Sequence, residues 1–171
     1  FYSDYNDIQI TAFVTSPAGG LLTVVDNAAK AKIKGFEFEL AAKPTPQLSL
    51  NAALGYTDAE YTELAPGVDI VTLDSKFVKT PKWTYNIGAQ YDVPVSGDGG
   101  TVTARVDWSY RSAVENNPSN IVSLRQDGFG LLSARIVYRA PGDAWEFAVF
   151  GTNLTDELYL TNGIEALAVF G

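Results

Sequence analysis

The sequence predicts an all-β chain: a meander of about seven long antiparallel strands forming part of a large transmembrane barrel. Three observations predict it. Alternation of apolar and polar residues with a period of two recurs in runs of about 10–13 residues, long enough to cross a bilayer at a tilt. The connections alternate in length, long over 16–29, 63–80 and 112–126 and short over 43–47, 94–100 and 141–143, which is the loop-and-turn asymmetry of membrane barrels. Aromatic residues gather near run ends, among them Tyr56, Trp83, Tyr85, Tyr91, Trp108, Tyr110, Tyr138 and Trp145, where amphipathic rings sit at the headgroup level.

The elements follow in order. In Tyr2 to Thr15, Ile8, Ile10 and Ala12 alternate with Asp7, Gln9 and Thr11, so the stretch reads as a strand. Ser16 to Ala29 contains Pro17, Gly19, Gly20, Asp26 and Asn27 and reads as a loop. A long hairpin comes next. Phe36, Phe38 and Leu40 alternate with Glu37 and Glu39, the proline-rich Lys43 to Gln47 reverses the chain, and Leu48, Leu50, Ala52, Leu54 and Tyr56 alternate with small and polar residues. Glu63 to Lys79 is a mixed connection. Pro81 opens a strand in which Trp83, Tyr85, Ile87, Ala89 and Tyr91 share a face, a tolerated place for proline. Beyond a glycine-rich turn, Val102, Ala104, Val106, Trp108 and Tyr110 form the next apolar row, with Thr103, Arg105, Asp107, Ser109 and Arg111 opposite. The polar loop Ser112 to Gln126 holds Asn116-Asn117-Pro118. Gly128 to Ala140 and Trp145 to Thr152, joined at Pro141-Gly142-Asp143, complete the seven runs.

Composition narrows the function. The chain has 171 residues, 46% hydrophobic and 12% aromatic, with no cysteine, histidine or methionine. One sizeable domain, 1–171, is expected. Without Cys or His there is no zinc, iron–sulfur or axial-histidine haem site and no Ser-His-Asp triad, so no catalytic residue, metal ligand or cofactor is nominated and an enzyme is not expected. A net charge of −8 leaves no basic stripe for nucleic acid. No apolar run reaches the ~18 residues of a transmembrane helix and no signal-peptide pattern is present. A membrane would be crossed by strands.

Four stretches carry a family likeness: Phe1-Tyr2-x-Asp4-Tyr5-x-Asp7-Ile8-Gln9, then Ile33-x-Gly35-Phe36-Glu37-x-Glu39, then Leu48-x-Leu50 leading into Gly55-Tyr56-Thr57-Asp58-Ala59-x-Tyr61, and finally Asn153-Leu154-Thr155-Asp156-Glu157-x-Tyr159. They resemble the C-terminal part of the barrel in TonB-dependent outer-membrane receptors. The resemblance implies a barrel of about twenty-two strands around an N-terminal plug, of which this chain is the last third. The family's closing strand ends in an aromatic residue, whereas this sequence stops at Phe170-Gly171, so the final strand, the plug and the TonB-binding box are expected to be absent from it. The implied function is uptake of a scarce substrate across the bacterial outer membrane, typically a ferric siderophore, sometimes a cobalamin or a saccharide. The implied partners are outer-membrane lipid and the TonB–ExbB–ExbD complex, reached through the N-terminal region. Two other readings share the alternating pattern: a passive porin-like barrel, and a soluble all-β ligand-binding module whose apolar rows meet between two sheets.

Candidate site residues are few. Arg105, Asp107 and Arg111 share one face and approach a long loop, so they are the substrate-binding candidates. The residue types suit an anionic ligand, and suit an ion-pair network on a wet lumen wall better. Glu37 and Glu39 lie on one face of one strand and read as a solvated lumen surface rather than an acid/base pair. Asp58, Glu60, Glu63, Asp69 and Asp74 make the next connection acidic without the ligand spacing of a calcium loop. Asn153 and Asp156 suit a turn, since both residue types hydrogen-bond to local backbone.

Overall fold

The computed structural model describes residues 1–16, 21–66, 68, 70–97 and 99–163. The strands are β1 (Tyr2–Thr15), β2 (Leu21–Ala42), β3 (Leu48–Leu64), β4 (Trp83–Pro94), β5 (Thr101–Arg111), β6 (Phe129–Arg139) and β7 (Glu146–Gly151). They form one seven-stranded sheet in chain order, every pair antiparallel. β1 and β7 are its two edges, so the sheet is open.

Register explains the two faces. Residues directly opposed in an antiparallel pair project to the same side. One such row runs Leu40, Ala52, Ile87, Trp108 and Leu132, and another Leu48, Tyr91, Ala104, Ile136 and Val149. The apolar positions of β2 to β7 therefore make one continuous surface. Phe36, Phe38, Leu50, Ile87, Val106 and Ile136 are exposed on it, with Leu54 half-buried beside them. Phe38 and Ile87 are each 55% exposed and Ile136 is 58% exposed. A buried sandwich interior would hide these side chains, and a surface of this size on a soluble monomer would be an association site. No second sheet covers it among the described residues. The opposite rows carry Glu37, Glu39, Asn51, Thr84, Gln90, Thr103, Arg105, Asp107, Arg135 and Arg139.

Aromatic clusters bound the apolar band. At one end Tyr56 lies 4.5 Å from Trp83 and 5.6 Å from Phe36 between ring centroids, and Tyr85 stacks on Tyr110 at 4.7 Å. At the other, Tyr138 meets Trp145 at 5.1 Å. Trp83 to Tyr91 covers about 27 Å along β4, which a strand tilt reduces to the thickness of an outward apolar belt, about 25 Å or less. Charges enter this face only beyond the Phe36–Tyr56–Trp83 row. There Asp58 accepts from Lys34 at 3.3 Å and from Lys82 at 3.1 Å, and Lys30 meets Glu63 at 2.6 Å. The hydrogen bond to Asp58 holds the Lys82 ammonium proton more tightly than usual, raising its pKa.

The structure corrects three boundaries. The stretch 16–29 has the composition of a loop, yet residues 21–29 belong to β2 and pair with Ile8 to Thr15; residues 17–20 lie outside the described residues. Asp26 and Asn27 read locally as turn formers, but backbone pairing with Ile10 and Gln9 overrides that preference. Similarly, β3 runs on to Leu64, because β2 continues opposite it as far as Ala29. Trp145 precedes β7 instead of opening it. The long connections accordingly become 65–82 and 112–128. Asp69 and the Phe170–Gly171 end lie outside the described residues.

Ile87 sits midway between the two aromatic rows on the apolar face. An Ile87→Lys change in the full-length protein should cost about 2–4 kcal/mol when it folds into vesicles. Asn86→Lys, one residue away on the polar face, should cost well under half of that. Urea titrations of the two variants check the difference, and equal losses would contradict the assignment of faces.

Candidate functional site

The polar face has two parts, a wall and a mouth. On the wall, Arg105 of β5 reaches sideways over β4. Its Nε donates to Asp107 Oδ2 at 2.8 Å, and its Nη2 donates to Asp107 Oδ1 at 2.5 Å and to Asn51 Oδ1 at 3.0 Å. Gly88 permits this crossing: a Cβ there would stand 2.5 Å from Asn51 Oδ1, 2.6 Å from Asp107 Oδ1 and 2.8 Å from Arg105 Nη2. Nearby, Thr103 Oγ1 donates to Asp92 Oδ1 at 2.7 Å. Arg105 and Arg135 are directly opposed, a repulsive placement relieved by Asp107 on one side and Glu146 on the other. Glu146 also accepts from Arg139 at 3.0 Å. A cavity of about 470 Å³ lies among Gln90, Asp92, Arg105, Arg135, Arg139 and Glu146.

Of the three candidates named from sequence, the structure brings together two. Arg105 and Asp107 are bonded to each other. Arg111 lies at the end of β5, about 20 Å along the strand from Arg105. Its guanidinium stands 4.5 Å from the Phe129 ring and 6.0 Å from Tyr159, and those two rings stack at 4.4 Å. Arg111 thus belongs to the mouth. Its Nε is buried without a hydrogen-bond partner among the described residues.

The mouth is where the loops fold inward. Thr57, Ala59 and Tyr61 alternate onto the polar face of β3, and Phe77 of the 65–82 connection stacks on Tyr61 at 4.3 Å. Ile10, Ala29, Ala31, Tyr61 and Val71 are buried together there, with Ile8, Leu64 and Ile70 packed around them. This small core anchors the first long connection to the sheet. The second connection is laced to the first. Lys79 N–H donates to Glu115 O at 3.0 Å, while Asn120 accepts from Lys76 N at 2.5 Å and donates to Lys76 O at 3.0 Å. Within it, Asn116 Nδ2 donates to Leu124 O at 2.7 Å and Asn117 Oδ1 accepts from Ile121 N at 2.9 Å. The segment after β7 joins them: Leu160 N–H donates to Gln126 Oε1 at 2.5 Å. The Lys79 ammonium donates to both Asn116 Oδ1 and Thr161 O, so one side chain ties all three segments.

Two cavities result. One, of about 560 Å³, lies between β1 and the loops, lined by Ile8, Ile10, Tyr61, Phe77, Asn117 and Ser119 among others. The other, of about 370 Å³, is lined by Asp58, Lys76, Lys82, Glu115 and Arg125. Glu115 is buried, one of its oxygens lacks a partner among the described residues, and the closest Arg125 nitrogen is 3.9 Å from the other. The Asn116-Asn117-Pro118 turn is visible in the sequence, but Lys79, Glu115 and Phe77 are not marked there. Their roles come from contacts between separate loops, which no local spacing signals.

The wall makes a testable demand of Gly88. Gly88→Ala should displace the Arg105 bridge and cost about 1–3 kcal/mol, the penalty of leaving partly buried polar groups unpaired. In the Asn51→Ala background the same change should cost clearly less, because one of the three clashing atoms is gone. A double-mutant cycle in urea reads the coupling.

Residues 1–154 match the family model described as TonB dependent receptor-like, beta-barrel. The ferric yersiniabactin uptake receptor FyuA from Yersinia pestis superposes with a TM-score of 0.77 at 18% identity, over 96% of this chain and 23% of that one. BauA, the ferric preacinetobactin receptor from Acinetobacter baumannii, gives a TM-score of 0.63 at 21% identity, over 87% of this chain and 22% of that one. The chain therefore spans less than a quarter of the length of these two proteins, and the likeness to them is one of fold. The open seven-stranded meander, the two-faced register and the family match over most of its length place this chain in the TonB-dependent receptor β-barrel family.

Proposed function

We propose that residues 1–171 are the C-terminal portion of the barrel domain of an outer-membrane receptor that imports a ferric siderophore with TonB-derived energy. The observation that carries the reading is the two-faced sheet itself. Its apolar face is exposed between two aromatic rows, and its polar face bears ion pairs and inward-folded loops, within a chain that matches the family over 1–154. The fold neighbours are receptors for ferric chelates by their descriptions, which supports iron uptake over the passive-porin alternative.

In this reading the polar face lines the barrel lumen. Arg105, Asp107 and Asn51 satisfy one another and form a wall that a plug domain packs against, while Arg111 steadies the mouth through Phe129 and Tyr159. Substrate meets the loops first. Energy enters from the inner-membrane TonB–ExbB–ExbD complex through a region N-terminal to this chain.

The test is uptake in cells. Restoring the full-length gene to a strain deleted for it should restore growth on ferric chelates under iron limitation, and a tonB deletion should abolish that growth. Growth that persists without TonB would favour a porin. Topology can be checked in the same cells, since the 171 residues contain no cysteine. A Val122→Cys variant should react with an impermeant thiol reagent from outside, and Ser96→Cys in the short β4–β5 turn should not. The reverse labelling pattern would invert the orientation.

A further inference from the structure

The receptor reading, on which this inference rests, can be sharpened to the chemistry of the ligand. The larger mouth cavity, about 560 Å³, falls within the range of small-ligand pockets, about 300–1,000 Å³. Among the described residues no Asp, Glu, Lys or Arg lines it. Its floor is apolar, from Ile8, Ile10 and the stacked Tyr61–Phe77 pair, and its polar groups are carboxamides and hydroxyls such as Asn117 and Ser119. The contrast with its neighbour is sharp, because the adjacent cavity collects Asp58, Lys76, Lys82, Glu115 and Arg125. Consecutive residues of one loop divide the two environments: Glu115 lines the charged cavity, and Asn116 and Asn117 line the uncharged one. Lys79, whose backbone is next to this wall, does not line the cavity. Its ammonium is committed to Asn116 Oδ1 and Thr161 O.

We infer that this cavity takes the substrate by an uncharged surface, so the receptor selects a neutral, partly apolar iron chelate over a polyanionic one. A charged group entering would lose water and meet no opposite charge among the described lining residues, since the Lys79 ammonium lies outside the lining with its bonds made to Asn116 Oδ1 and Thr161 O, so the exchange is unfavourable. A neutral chelate instead finds apolar contact on Tyr61 and Phe77 and hydrogen bonds from amide and hydroxyl groups at the rim. Lys79 is a positioning residue here: it joins Asn116 of one wall to Thr161 beside Asn162 and Gly163 of the other.

The experiment uses the purified full-length receptor in detergent and two probes, a neutral ferric tris-hydroxamate and a trianionic ferric tris-catecholate. Affinities are read from quenching of intrinsic tryptophan fluorescence. The neutral probe should bind at least about tenfold more tightly than the trianion. Ser119→Arg, which puts a cation at the exposed lip, should tighten the trianion by at least about tenfold, a gain that misfolding cannot mimic. Ser96→Arg, the same charge in the β4–β5 turn, should leave the trianion where it was. If the trianion binds the wild-type receptor as tightly as the neutral probe, or if Ser119→Arg tightens nothing, the neutral-ligand inference falls while the iron-receptor reading stands. If neither probe binds and neither supports TonB-dependent growth, both fall together.

Discussion

Backbone hydrogen bonding without water is the constraint on which this structure depends. In hydrocarbon, each N–H and C=O must find a partner in the neighbouring strand, so the pairing register can contain no skipped residue at membrane depth. The registers from β3 to β7 run without a shift. The irregularities all lie beyond the Phe36–Tyr56–Trp83 row: between Tyr5 and Ile8, between Ile8 and Gln9, and between Lys30 and Ala31. Asp7, at the first of these, has φ of 56°. A bulge leaves ladder groups unpaired, and water on that side can satisfy them.

An unbroken register also separates the labour of the two faces. On the polar wall, charges are answered close at hand, as Arg105 is by Asp107 two residues along β5 and by the Asn51 carboxamide from β3. Gly88 matters there for its absent side chain, not for any unusual backbone angle. In the function proposed above, selectivity falls to the mouth, where chain that is free of the ladder can present carboxamides, aromatic rings or a buried carboxylate in any order. The Tyr61–Phe77 stack joins the two regimes, since one ring belongs to the sheet and the other to a loop.

That separation accounts for what the sequence could say. Within the band the environment itself alternates, apolar outside and wet inside, so β4, β5 and β6 are readable to within a residue or two. Above the band both faces meet water, and alternation weakens. Residues 21–29 and the end of β3 then look like loop, although they pair as strand. The adjacency of Arg105 and Asp107 is legible as two positions on one strand face. The separation of Arg111 from them is not, because it depends on Phe129 and Tyr159 arriving from elsewhere in the chain. Lys79 and Glu115 are invisible for the same reason: Lys79 bonds to a residue 82 positions away.

The unequal strand lengths have a consequence outside the transport cycle. β4 and β6 begin at or near the aromatic row, but β2 continues from Phe36 back to Leu21, roughly 50 Å of extended chain. With β1 and part of β3 alongside, the rim becomes a tall blade on one side and a low sill on the other. In the orientation proposed above, the blade stands clear of the lipid headgroups while the loops behind it stay folded down. A large particle approaching the cell surface would therefore reach the paired strands of β1 and β2 before the loops behind them, among the described residues.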